Sequence, residues 1–197
     1  DGYWSRGLGD VYKRQEKILS EVYKSQPLKW RIGCLRYFNP VGAHELGLIG
    51  ENPIVNTNNL YPRITKVAIG NLENIKIFGA DWPTKDGTCI RDYIHVMDLA
   101  EGHLSALNYL LKGKPQILTL NLGTGKGTSV LELLKIFEEV NKVFIPVNFV
   151  ERRSGDNAFV VADNNMAKKI LNWSPKRNVH QICRDGWNWQ INNPMGY

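Results

Sequence analysis

Cysteine, histidine and long apolar runs are all scarce in this sequence. Three Cys stand alone at 34, 89 and 183, with no CxxC pair. That spacing excludes a disulfide scaffold. The four His, at 44, 95, 103 and 180, have no ligand spacing to a Cys, so no metal site is expected. Isolated thiols suit a reducing compartment, and a cytoplasmic location is the expectation. No apolar stretch reaches the ~18 residues that a membrane helix needs, and the first residues show no signal-peptide pattern. Lys and Arg never run longer than two together. The net charge of +6 and pI near 9.2 therefore do not come from a basic tract. Scattered cations suit a doubly charged diphosphate better than nucleic acid, so no nucleic-acid partner is expected.

What is present is enough for one sizeable core: 197 residues, 43% of them hydrophobic. Asp1 to Gln15 (DGYWSRGLGDVYKRQ) has no strand or helical period and reads as a non-native, linker-like segment. Its Gly7-Leu8-Gly9 starts a GxGxxG pattern, but Tyr12 stands at the third glycine position. From Glu16 the chain alternates helical and extended patterns. Glu16–Ser25 reads as the end of a longer helix, and Trp30–Phe38 as a parallel strand buried on both faces. A long loop over 39–59 follows, of the kind that is usually functional. Next come a helix over 61–70, a short strand at 75–78, a turn-rich loop at 81–87 and an extended piece at 92–96. Asp98 is predicted to cap a helix through Glu101, with Leu99, Leu104, Leu107, Leu110 and Leu111 as its apolar face. Ile117–Leu122 is a second strand, Val147–Val150 a short third, and 166–171 and 179–190 the closing helices. This alternation predicts an α/β architecture.

Four groups of residues stand out. Gly123-Thr124-Gly125-Lys126-Gly127 is neither a Walker loop nor a dinucleotide fingerprint. A tight turn into a helix capped by Ser129 and Glu132 accounts for it. Arg91 enters a short apolar strand, which is costly without an anion; a salt bridge to Asp92 or Asp98 is the structural alternative. Arg152-Arg153-Ser154-Gly155-Asp156 joins guanidiniums suited to phosphate with a carboxylate suited to ribose hydroxyls. Asn58-Asn59-Leu60 fits a helix cap, and His95 reads as a satisfied core histidine.

Together these pieces resemble one family. LRYFNPVGAH (35–44), NNLYP (58–62), IFG (77–79), RDYIHVMDLAEGH (91–103), NLGTGKGTSV (121–130), ERRSGD (151–156) and DGWNWQINNPMGY (185–197) match, in order and spacing, the C-terminal half of the UDP-glucose/UDP-galactose 4-epimerases. These are extended short-chain dehydrogenases. The resemblance implies the C-terminal part of an NAD-binding Rossmann domain, contributing two strands near 30–38 and 117–122. It adds a smaller mixed α/β domain for the nucleotide sugar. It implies NAD as cofactor, UDP-glucose and UDP-galactose as ligands, and a homodimer for the complete enzyme. By the same resemblance Tyr37 and Phe38 would lie beside the nicotinamide, and Asn39 would reach the hexose–phosphate region. Asn58, Asn59, Leu60, Ile77 and Phe78 would line the phosphate and uracil pocket. Arg91 and Arg153 would pair with the diphosphate, and Asp156 would accept from the ribose. The family's catalytic Tyr-x-x-x-Lys is missing, since no tyrosine here has Lys four residues later. Val160 stands where many bacterial members carry a bulky tyrosine.

Overall fold

The computed structural model describes residues 3–52 and 59–196. The first helix, α1 (Tyr3–Ser25), runs through the N-terminal segment, where no helical period was expected. Residues 3–15 are helical and continuous with 16–25. The stretch holds no proline, and extending an existing helix adds a hydrogen bond for each residue ordered.

Strands β1 (Arg31–Tyr37) and β2 (Asn39–Val41) follow, the latter inside the expected long loop. Next come α2 (Leu60–Ala68), β3 (Ile75–Phe78), β4 (Ile90–Arg91) and β5 (Tyr93–His95). The second half comprises α3 (Val96–Lys112), β6 (Gln116–Leu122), β7 (Thr128–Ser129) and α4 (Val130–Asn141). It ends with β8 (Val147–Val150), β9 (Phe159–Val160), α5 (Asn165–Leu171) and α6 (Val179–Asn192). The architecture is α/β with mostly parallel pairing. β1 pairs with β6, β2 with β5 and β3 with β8, all parallel. β4 lies between β7, antiparallel, and β9, parallel.

Two cores result. One gathers Leu99, Ala106 and Leu110 of α3 against Leu118, Leu120 and Leu122 of β6, closed by Ala167, Leu171 and Trp173. The other joins α2, β3, α4 and α6 around the fully buried Phe137, whose ring meets Tyr61 and Trp187 edge-on at 6.1 and 5.7 Å.

Three expectations are corrected here. β1 is not buried on both faces: Cys34 is its one buried residue and Tyr37 is 53% exposed. Among the described residues β1 pairs on a single edge, which leaves the other edge and much of one face open. Helix α3 turns Leu104, Leu107 and Leu111 to solvent. Its buried stripe is Leu99, Gly102, Ala106 and Leu110, spaced along one helical face. Its cap is His95, whose ring accepts from Met97 N–H, and not Asp98. Asp98 is instead fully buried and pairs with Arg177 at 2.6 Å. The cap expected for α4 is present, with Ser129 and Glu132 forming a complete capping box. Among the described residues no helix is long and apolar enough to cross a membrane.

Candidate functional site

A cavity of about 550 Å³ opens where β2, β3, β5 and the start of α2 converge. Strand alternation decides who faces it. Along β4 and β5, Arg91 and Tyr93 point into the cavity while Asp92 and Ile94 point away. Asn39 and Val41 of β2, Ile77 and Phe78 of β3, and Asn59 and Leu60 at the head of α2 complete three walls. Arg153 and Asp156, on the loop between β8 and β9, form the fourth.

The cavity therefore brings together Phe38, Asn39, Asn59, Leu60, Ile77, Phe78, Arg91, Arg153 and Asp156. Tyr37 is not brought with them; its ring lies 5.5 Å from that of His103 on α3. Asn58 lies outside the described residues. Val160 is not among the lining residues and pairs in register with Arg91.

Arg91 has its salt bridge, but to neither expected carboxylate. Its Nη1 donates to the carbonyls of Asn157 (2.7 Å) and Ile90 (2.9 Å), and its Nη2 lies 3.7 Å from Asp156 Oδ1. Asp156 is thus the partner, 65 positions away in the chain, because parallel pairing of β4 with β9 draws the loop to the strand. Of the adjacent guanidiniums only Arg153 faces the cavity, 4.0 Å above the Phe78 ring. Arg152 turns outward, bonds Asp81 at 2.7 Å and covers Trp82. That hydrogen bond holds the Asp81 carboxyl below its ordinary value.

Asp92 explains the glycine-rich turn. Its buried carboxylate accepts from the Thr124 and Gly125 N–H groups (2.9 Å each), from Thr124 Oγ1 (2.5 Å) and from Ala162 N–H (3.1 Å). Gly125 sits at φ 72°, the left-handed conformation that lets consecutive N–H groups converge. The turn is an anion nest whose anion is the protein's own side chain.

Sequence reasoning missed several lining residues. Tyr93 is the plainest: two positions after Arg91 in an extended strand, it had to share Arg91's face. Burial raises its phenol well above the ordinary value. Arg63 and Lys76 add positive charge, whereas Glu51 adds a carboxylate at the rim. Desolvation pushes the Glu51 carboxyl up, opposed by a hydrogen bond with Asn59. Glu51 carried no signal, since nothing local ties it to α2.

Comparison with known proteins shows the family. The family model described as GDP-mannose 4,6 dehydratase matches residues 14–186. A bifunctional UDP-glucose 4-epimerase and UDP-xylose 4-epimerase of Arabidopsis thaliana is 49% identical over 183 residues, 92% of this chain and 52% of that protein. A UDP-glucose 4-epimerase of Pasteurella multocida is 51% identical over 182 residues, 92% of this chain and 53% of its own. Among solved structures, the UDP-glucose 4-epimerase of Stenotrophomonas maltophila, with bound NAD and formylated UDP-arabinopyranose, superposes with TM-score 0.87 at 45% identity. The match covers 90% of this chain and 52% of that one. The Bifidobacterium longum enzyme, in complex with NAD+ and UDP, gives 0.87 at 44%, covering 93% and 54%. The fold is thus the Rossmann-type short-chain dehydrogenase fold, of which this chain forms about half. The chain belongs to the GDP-mannose 4,6 dehydratase family, and within it is similar to UDP-glucose 4-epimerases over about half of their length.

Proposed function

We propose that the cavity binds the UDP part of a nucleotide sugar, and that the complete protein inverts C4 of a UDP-hexose, interconverting UDP-glucose and UDP-galactose with NAD. The observation that carries this reading is the convergence of Arg91, Arg153, Asp156, Asn59 and Asn39 on one cavity with an apolar wall of Leu60, Ile77 and Phe78. Paired guanidiniums suit the diphosphate, Asp156 the ribose hydroxyls, and the flat apolar wall a pyrimidine ring. Gripping the nucleotide far from the reacting carbon would leave the hexose free to turn over in the site.

NAD would supply the hydride acceptor and donor. Of the residues expected beside it, Phe38 lines the cavity and Tyr37 lies against His103. The glycine turn at 123–127 has its N–H groups committed to Asp92. Phe38 and Tyr37 would hold one edge of a nicotinamide, whereas the committed glycine turn is not a dinucleotide cradle.

The catalytic Tyr-x-x-x-Lys is absent from the sequence, so the 197-residue chain alone is expected to bind without turnover. A cytoplasmic, homodimeric complete enzyme is part of the same reading. Residues 1–15 are read as a linker-like segment, a reading that the start of the family match at residue 14 supports for 1–13. A second reading is another nucleotide-sugar enzyme of the superfamily, favoured by the dehydratase description of the matching model. Titration of the chain with UDP and with GDP tests the cavity, and UDP is expected to bind more tightly. Product analysis of the complete protein with UDP-galactose tests the reaction. A 4-keto-6-deoxy product would overturn the epimerase reading.

A further inference from the structure

Helix α6 contributes no residue to the cavity lining, yet it holds two of its walls. The first link is His95, which is fully buried and uses both ring nitrogens. Nδ1 accepts from Met97 N–H at 3.1 Å, so the ring proton sits on Nε2 and is donated to Asp185 Oδ2 at 3.2 Å. The other Asp185 oxygen accepts from Arg184 Nε at 2.8 Å. His95 ends the strand that carries Tyr93 and pairs in register with Val41 of β2, and both of these line the cavity.

The second link lies within one turn of the same helix. Tyr61 Oη reaches the carbonyls of Ile182 and Cys183 at 3.1 Å each. Gly186 lets the helix approach the Tyr61 ring, since a Cβ there would lie 2.3 Å from Oη. Tyr61 follows Asn59 and Leu60 at the head of α2. One turn of α6 therefore grips the β2–β5 wall through His95 and the α2 wall through Tyr61. A buried polar pair of this kind adds little net stability over a packed apolar pair, but it defines geometry.

We propose that His95 and Asp185 are a positioning pair: they lock α6 to the β2–β5 wall, so that nucleotide affinity depends on two residues that never touch the nucleotide. The affinity part rests on reading the cavity as a UDP site. The lock itself does not.

The two ring nitrogens can be separated by substitution in the protein that carries this chain. His95→Asn keeps an acceptor for Met97 N–H but cannot reach Asp185. His95→Gln keeps a donor toward Asp185 but loses the cap. Hydrogen exchange of residues 39–44 and 60–66, thermal melts and UDP titration are read for both. For His95→Asn the expected result is a parent-like cooperative melt with faster exchange in both segments. Its UDP binding should be about tenfold weaker, or about 1.4 kcal/mol. His95→Gln is expected to stay near the parent in exchange and affinity. Parent-like exchange in His95→Asn, or identical behaviour of the two variants, overturns the pair. If His95→Asn fails to fold, Asp185→Ala carries the same test, because it leaves His95 Nε2–H without its acceptor; unchanged exchange again overturns it. A parent that does not bind UDP sinks the nucleotide reading, while the exchange result still judges the lock.

Discussion

Arg91 and Asp156 meet across the cavity mouth with 3.7 Å between Nη2 and Oδ1, an ion pair too long for a hydrogen bond. Two carbonyls fix the other side of the guanidinium, at 2.7 and 2.9 Å. Arg91 is thus oriented but retains donor capacity toward a bound anion. Asp156 likewise retains acceptor capacity.

Removing that oriented cation should cost affinity. Arg91→Ala and Arg153→Ala are each expected to weaken UDP binding by ~1.5–3 kcal/mol, the range for a hydrogen bond to a charged group. Arg152→Ala is the control, because Arg152 is committed to Asp81 outside the cavity. Calorimetric titration of the three variants checks this. Equal affinity for all three would place the diphosphate elsewhere.

Asp92 should matter to stability more than any cavity residue. Asp92→Ala would leave the Thr124, Gly125 and Ala162 N–H groups without their acceptor. The Ala162 N–H is buried and those of Thr124 and Gly125 are part-buried; orphaning a buried donor costs about 1–3 kcal/mol, so a loss of ~2 kcal/mol or more is expected in urea melts. A change under ~1 kcal/mol would mean that water takes over the nest.

Gly186→Ala should destabilise through overpacking. Its Cβ would meet Tyr61 Oη at 2.3 Å and Cε1 at 2.6 Å. A cost of ~1–3 kcal/mol is expected. Tyr61→Phe in the same background should recover part of it, since the nearest atom is then gone. Thermal melts of the single and double variants decide the matter.

Acid sensitivity should trace partly to His95. Burial holds its pKa below the ordinary 6.5, with Asp185 opposing. The unfolded chain therefore takes up this proton first as pH falls. The contribution is fully present above 6.5 and is lost between 6.5 and the lower folded value. His95→Asn should flatten the fall in stability over that window. Denaturant midpoints measured across it, for parent and variant, provide the check.

The open edge of β1 should make the isolated chain adhesive. Tyr37, Leu104, Leu107 and Leu111 are all more than half exposed. Exposed apolar side chains beside an unpaired strand favour association. The purified chain is expected to bind a hydrophobic dye and to sediment as more than a monomer. Leu107→Glu should reduce both, and a dye-silent monomer would count against this view.

Some of this was readable residue by residue. The capping box of Ser129 and Glu132 spans four positions, and the buried alternation of Leu118, Leu120 and Leu122 follows the strand repeat; both arise from neighbours close in the chain. The order of the motifs carried the family, and with it nine of the residues that line the cavity. Partnerships between distant residues were not readable. Asp92 fills the turn 32 positions on, His95 finds Asp185 90 positions away, and Arg91 pairs with Asp156 and not with either nearby aspartate. Local periodicity also misassigned the face of α3, since five leucines fit a helical stripe as well as Leu99, Gly102, Ala106 and Leu110 do. Local rules constrain which conformations a segment can take. Which carboxylate reaches which donor depends on how strands and helices pack, and only the tertiary structure decided that.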